Sequence, residues 1–297
     1  MKIGFIGLGI MGKPMSKNLI SAGHELVVSD INEDAVREIV SQGAIAAESA
    51  AAVAMQCGVI ITMLPNSPHV RQAVLGENGI IEGATGGSVL IDMSSIDPME
   101  SRSIAALLSK RSIEMLDAPV SGGQPKAVDG TLSVMVGGKQ ELFERYHTLL
   151  GSMASSVVYV GEIGSGNIAK LANQIIVALN IAAVGEAFSM VTKLGADPEA
   201  VYRAICGGLA GSTVMDAKVP LILSRNFAPG FRIELHIKDL NNALNAAHAV
   251  QAPIPLAAQI MEMMQALASD GLQAEDHCSL VKYYEKLSGV TIAGKQA

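Results

Sequence analysis

Three polar residues on one apolar segment have the types and spacing for chemistry. Lys170, Asn173 and Gln174 sit at i, i+3 and i+4, so a helix would place them on one face. Asn180 falls near the same stripe. The segment, residues 164–195, reads GSGNIAKLANQIIVALNIAAVGEAFSMVTKLG and is apolar or small nearly all round. Such a helix is buried by protein on most sides. A lysine on it is paired or put to use, or it snorkels from the first turn to solvent. The helix alone leaves both readings open.

A second group is Ser121-Gly122-Gly123, following Asp117-Ala118-Pro119-Val120. A strand end that runs into Ser-Gly-Gly exposes a hydroxyl and consecutive backbone N–H groups, which suits a carboxylate. An ordinary glycine turn has the same composition.

The third group is Gly7-Leu8-Gly9-Ile10-Met11-Gly12. It follows the strand-like run KIGFI (residues 2–6) and precedes a helical stretch over 14–22; a second apolar run, Leu26 to Val28, then ends at Asp30. Strand, glycine turn, helix, strand and acid is the context of a dinucleotide fingerprint. Gly7 permits the tight turn, Gly9 clears the approach of a pyrophosphate and Gly12 lets the helix pack on the strand. The helix N-terminus then holds the phosphates. Asp30 would accept the ribose hydroxyls and repel a 2′-phosphate, which favours NAD(H) and leaves NADP(H) a possible second coenzyme.

The elements that must position these groups alternate. Helical stretches over 33–42, 50–56, 67–75 and 98–110 separate strand-like runs over 58–64, 88–92 and 113–117, with further strands at 131–136 and 156–160. Ligands of an open parallel sheet lie beyond the carboxyl ends of its strands, which puts Leu64, Pro65, Ser95 and the run from Asp117 on one edge. Beyond Gly195 only helical spacing remains, over 198–206, 234–250, 256–269 and 274–287. The expected architecture is α/β: a Rossmann-type, doubly wound, mostly parallel sheet over 1–163. An all-helical domain over 164–297 follows, opening with a long interdomain helix over 165–194.

Composition narrows the function. The chain has 297 residues, is 49% hydrophobic and carries a net charge of −7. No basic cluster or aromatic platform offsets that charge, so nucleic acid is not an expected partner. Cys57, Cys206 and Cys278 form no pair or zinc spacing, and the six histidines form no metal spacing, so no metal is expected. Residues 1–6 run straight into a strand, with no signal peptide, and the apolar windows are broken by Asn180 and Glu186 before a membrane-spanning length. A cytoplasmic protein with reduced thiols and no membrane partner is expected. The alanine-rich second half points to a homo-oligomer, dimer or tetramer.

Four blocks in register, FIGLGIMGKPMSKNLISAG (5–23), DAPVSGG (117–123), GNIAKLANQ (166–174) and KDL (238–240), resemble the signatures of the β-hydroxyacid dehydrogenases. This is the family that includes 3-hydroxyisobutyrate dehydrogenase. The blocks span nearly the whole chain. Segments 63–70, 76–83, 207–216 and 231–240 resemble in particular the branch that reduces a small hydroxylated semialdehyde.

The resemblance implies an NAD(H)-dependent oxidoreductase with Lys170 as the catalytic general acid and base. It implies that Ser121, Gly122, Gly123, Asn173 and Gln174 bind a small anionic semialdehyde or hydroxy acid. It implies that Leu8, Ile10 and Met11 of the glycine turn, with Leu64, Pro65, Ser95 and Lys238, line the cofactor. Many relatives carry a second Asn where this chain has Gln174. His236 is expected as a polar wall of the pocket, Asp239 as the residue that orients Lys238, and Arg232 and Lys218 in surface pairs. A sister dehydrogenase for 3-hydroxyisobutyrate and a non-catalytic NAD-binding module are the competing expectations.

Overall fold

The computed structural model describes residues 1–294. The chain divides into two compact units, Met1–Lys170 and the part from Leu171 onward.

In the first unit, strands and helices alternate: β1 (Lys2–Ile6), α1 (Gly12–Ser21), β2 (Glu25–Ser29), α2 (Glu33–Val40), β3 (Ile45–Ala46), α3 (Ala50–Ala54), β4 (Val59–Thr62), α4 (Ser67–Leu75), α5 (Ile80–Gly83), β5 (Val89–Asp92), α6 (Pro98–Ser109) and β6 (Glu114–Asp117). A second group follows: β7 (Val120–Ser121), α7 (Gly123–Val128), β8 (Leu132–Gly137), α8 (Gln140–Gly151) and β9 (Ala154–Gly161). The sheet order is β3-β2-β1-β4-β5-β6-β8-β7, with β9 beside β8. Strands β1 to β6 pair in parallel, β8 runs antiparallel to β6 and β7, and β9 is parallel to β8. The order reverses at β1, which lies between β2 and β4 and so creates the crevice where such sheets bind ligands.

Side-chain alternation explains why both faces of the sheet are covered. Ile3, Phe5, Val59, Ile61, Val89 and Ile91 feed one core. Their neighbours Ile60 and Leu90, with Ile6, feed the other. Local caps set the helix starts: Asn32, Ser49, Asn66 and Asp97 each accept backbone N–H groups at the head of α2, α3, α4 and α6.

Helix α9 (Ser165–Lys193) is continuous across the unit boundary. The helices α10 (Pro198–Ile205), α11 (Thr213–Leu223), α12 (Ile233–Ala249), α13 (Pro255–Ser269) and α14 (Val281–Ser288) complete the second unit. Its described residues contain no strand. Ala178, Ile181 and Ala182 of α9 join Leu240, Ile260 and Met264 in one core, while Val184 and Phe188 join Val219 and Ile222 in another. The end of α9 is closed by Gly195, whose φ of +79° favours a residue without Cβ. Gly195 N donates to Thr192 O and Ala196 N to Val191 O.

One expectation is corrected here. The 29 residues of α9 contain an 18-residue window of mean hydropathy 1.8, so by length and composition the helix could cross a membrane. Asn180 does not break it, because its Nδ2 bonds back to Ile176 O at 2.8 Å within the helix. The hydropathy of α9 serves the two helical cores it enters.

Candidate active site

The glycine turn is built as a phosphate cradle. Gly7 has φ +99°, and a Cβ there would lie 2.3 Å from Met63 O. A Cβ on Gly12 would lie 1.8 Å from Gly7 O, so α1 can start only where residue 12 has no side chain. A Cβ on Gly9 would meet nothing within 4 Å; the surface there is open to an incoming group. No side chain caps α1, whose N-cap position is Met11; in its first turn Lys13 N donates to Gly9 O, Met15 N donates to Met11 O and Pro14 has no N–H. These features fit a dinucleotide pyrophosphate.

Asp30 has a duty that its position alone did not reveal. Its Oδ2 accepts Leu8 N at 2.5 Å and its Oδ1 accepts Asn32 N at 2.7 Å. The carboxylate thus ties the glycine turn to the end of β2. Leu64, half-buried, follows β4, and a Cβ on Gly7 would come within 2.9 Å of its Cδ2. Leu64 N donates to Ser94 Oγ at 2.9 Å. Asp92, at the end of β5, accepts Thr62 Oγ1 at 2.8 Å and Ser94 N at 3.1 Å through one oxygen. The run holding Ser95 is thereby fixed beside the run holding Leu64 and Pro65.

Ser121 ends β7, and Gly122 and Gly123 have φ of +133° and +67° where α7 begins. Consecutive backbone N–H groups in such a turn form a concave donor surface.

The start of α9 is held from a distance along the chain. Asp117 accepts Gly164 N through Oδ1 and Asn167 N through Oδ2, both at 2.7 Å. Asn167 is fully buried and spends its side chain elsewhere: Oδ1 accepts Ile96 N and Nδ2 donates to Ser101 Oγ. Burial pushes the Asp117 carboxyl up to about 7, against the pull of its backbone donors and helped by nearby Asp92. Lys170, on the second turn of this helix, is 6% exposed. It does not snorkel to solvent, so the buried reading of this lysine holds.

In the helical unit, Asn173 Nδ2 donates to Gln174 Oε1 at 2.9 Å, and Gln174 Nε2 donates to Asp239 Oδ2 at 2.6 Å. Lys238 Nζ lies 2.9 Å from Asp239 Oδ1 and is 17% exposed. The site residues expected from sequence therefore fall into two groups. The glycine turn, Asp30, Leu64, Pro65, Ser95 and the Ser121 loop belong to the first unit, which ends at Lys170; Asn173, Gln174 and Lys238 belong to the second.

One expectation changes and two gain detail. His236 is fully buried. Its Nε2 meets Gln174 O at 3.0 Å and its Nδ1 meets His277 Nδ1 at 2.9 Å. A backbone carbonyl only accepts, so His236 carries its proton on Nε2 and, when neutral, takes one from His277 at Nδ1. Lys218 is no surface pair: it binds fully buried Asp276 at 2.9 Å, while Arg232 does pair at the surface with Glu234. Asp239 holds Gln174 as well as Lys238.

A turn, crevice and acid of this kind define a nicotinamide-dinucleotide-binding protein. Residues 2–161 match the model "NAD binding domain of 6-phosphogluconate dehydrogenase" and residues 164–284 match "NAD-binding of NADP-dependent 3-hydroxyisobutyrate dehydrogenase". The chain is 43% identical to the 2-hydroxy-3-oxopropionate reductase of Escherichia coli, over 99% of this chain and 100% of that one. It is 36% identical to mitochondrial 3-hydroxyisobutyrate dehydrogenase of Bos taurus, over 95% and 86%. The structure of Mycobacterium tuberculosis 3-hydroxyisobutyrate dehydrogenase with L-serine superposes with a TM-score of 0.88 at 30% identity, covering 95% of this chain and 98% of that one. The chain belongs to the β-hydroxyacid dehydrogenase family of NAD(P)-dependent oxidoreductases.

Proposed function

We propose that the protein reduces tartronate semialdehyde (2-hydroxy-3-oxopropanoate) reversibly to D-glycerate, with NADH as the preferred coenzyme. The observation that carries the reading is the 43% identity, end to end, with a reductase named for that substrate. A 36% identity to 3-hydroxyisobutyrate dehydrogenase supports the second reading, a sister enzyme whose substrate has a methyl in place of the hydroxyl.

The nicotinamide supplies the hydride when bound. Lys170 donates the proton to the carbonyl oxygen; an ammonium is already protonated at neutral pH and stabilises the developing alkoxide. The Ser121, Gly122 and Gly123 loop binds the substrate carboxylate, and Asn173 and Gln174 orient the substrate. Lys238 lines the cofactor side. Support for Lys170 comes from its burial on a helix pinned at its start by Asp117. Support for NADH comes from Asp30 at the end of β2, with exposed Ile31 and the capping residue Asn32 after it and no arginine for a 2′-phosphate. A homo-oligomer in the cytoplasm, dimer or tetramer, is part of the reading; Ile176, Met190 and Leu194 of the helical unit are 60%, 58% and 77% exposed and suit a second copy of the chain.

An NADH-oxidation assay against a panel of small semialdehydes tests the reading. Tartronate semialdehyde is expected to exceed its methyl analogue in kcat/KM by about 100-fold or more, since a site that binds a hydroxyl is left with unpaired groups by the analogue. Preference for the methyl analogue would establish the sister reading instead.

A further inference from the structure

The side chains of Asp239, Gln174 and Asn173 form a chain of hydrogen bonds with only one polarity. Asp239 is 1% exposed and Gln174 is 4% exposed. An ionised carboxylate only accepts, so the end of Gln174 that meets Asp239 Oδ2 at 2.6 Å must be its NH₂. The reversed amide would bring two acceptors together at a buried contact. Gln174 Oε1 is thereby aimed at Asn173, whose NH₂ end donates to it at 2.9 Å. Asn173 is half-buried, so its other end, Oδ1, is left as the atom offered to an incoming donor. The backbone of Gln174 is held too, because His236 of α12 binds its carbonyl oxygen, and His236 is backed by His277.

We propose that Asp239 and Gln174 are positioning residues that fix the amide of Asn173 with its carbonyl oxygen toward the substrate, so that the site selects a substrate carrying a hydroxyl donor next to its carbonyl. The proposal rests on the substrate class above and deepens it. Gln174 reaches both Asp239 and Asn173 through its one side-chain amide. Lys238 Nζ lies 2.9 Å from the other carboxylate oxygen of Asp239, so a cationic donor faces that oxygen too.

Four variants decide the matter: Gln174→Met, Asp239→Asn, Gln174→Glu, and the double exchange Gln174→Glu with Asp239→Asn. Each is assayed on tartronate semialdehyde and on its methyl analogue, with the Kd for NADH measured alongside. The methionine has nearly the same shape but neither donor nor acceptor. An amide at 239 no longer dictates which end of Gln174 it meets. A carboxylate at 174 opposes the one at 239. Each single variant is expected to lower the ratio of kcat/KM for the two substrates by about tenfold or more, with the Kd for NADH unchanged in Gln174→Met. In the double exchange the amide at 239 donates to the carboxylate at 174, which still accepts from Asn173. The ratio is therefore expected to return to within about threefold of wild type, a rescue that mere packing would not give.

Parallel loss on both substrates, with the ratio unchanged in all variants, would overturn the proposal. Failure of the wild-type enzyme to reduce either semialdehyde would instead sink the substrate reading. The side-chain amide NMR signals of Asn173 and Gln174 then test the chain of bonds independently of turnover. Slow hydrogen exchange at both amides that is lost in Asp239→Asn and regained in the double exchange supports it. Fast exchange in the wild type contradicts it.

Discussion

Each unit of the molecule buries an aspartate that accepts backbone N–H groups, and the two are driven in opposite directions. Asp117, at the end of β6, receives Gly164 N and Asn167 N and has Asp92 as its charged neighbour; burial dominates and its carboxyl rises to about 7. Asp276, before α14, is equally buried and receives Gly230, Phe231 and Cys278 N–H groups. Burial opposes its ionisation too, but His277 and the Lys218 ammonium hold its carboxyl below the usual range. The charged neighbours decide the difference. Asp276 is a charge-paired staple that ties a loop to the helical core, held by His277 and Lys218, whereas Asp117 caps the helix that carries Lys170 with backbone donors and a carboxylate neighbour, Asp92.

The sharpest break in this comparison comes from the nucleotide side. Gly12→Ala puts a Cβ against Gly7 O. It is expected to weaken NADH binding by about 100-fold while thermal unfolding of the helical unit stays where it was. Fluorescence titration with NADH, paired with a calorimetric scan, reads both.

Removal of the staple does the reverse. Asp276→Asn leaves Lys218 beside a neutral amide, and is expected to cost about 3 kcal/mol of stability in the helical unit. The Kd for NADH should stay within about twofold, because the glycine turn belongs to the other unit. A lowered unfolding temperature with intact coenzyme binding is the outcome to look for.

A smaller effect is expected at Asp30. Asp30→Ala should narrow the preference for NADH over NADPH by about tenfold in kcat/KM, since a 2′-phosphate no longer meets a carboxylate. It should also loosen the turn that Leu8 N anchors.

The smallest effects are those of pH. Asp117 has a folded value of about 7, above its ordinary 3.8, so its contribution to stability is full below about pH 4 and is lost as pH rises toward 7. Asp276 has a lowered folded value, so its contribution is full above its ordinary 3.8 and is lost as pH falls below that. Asp117→Asn should flatten the decline in unfolding temperature between pH 4 and 7, and Asp276→Asn should flatten the loss below pH 4. Profiles unchanged by either substitution would refute the opposed pairing.

The sequence exposed what is local. Gly7, Gly9, Gly12 and Asp30 lie within one strand–turn–helix–strand unit, and each has a duty that spacing alone can state. The i, i+3, i+4 set on α9 was legible for the same reason. The groups it concealed are joined over long separations. Asp117 meets its two partners 47 and 50 residues away, Lys218 meets Asp276 at 58, and Gln174 meets Asp239 at 65. No local pattern marks such pairs, and a lysine such as Lys218 reads from sequence as a surface residue. Helix α11 lies outside the stretches of helical spacing named above; it contains Pro220, which ordinarily ends a helix. Helix α8 also went unread, between two strands that were seen.

The central claim is that Lys170 supplies the proton, and replacing it tests that claim most directly. Lys170→Ala is assayed for NADH-dependent reduction of tartronate semialdehyde, with NADH affinity measured on the same protein. The account predicts a kcat lower by about a thousandfold or more with the Kd for NADH within about twofold of wild type, because the lost group acts on the reacting oxygen. Turnover near the wild-type rate would contradict it.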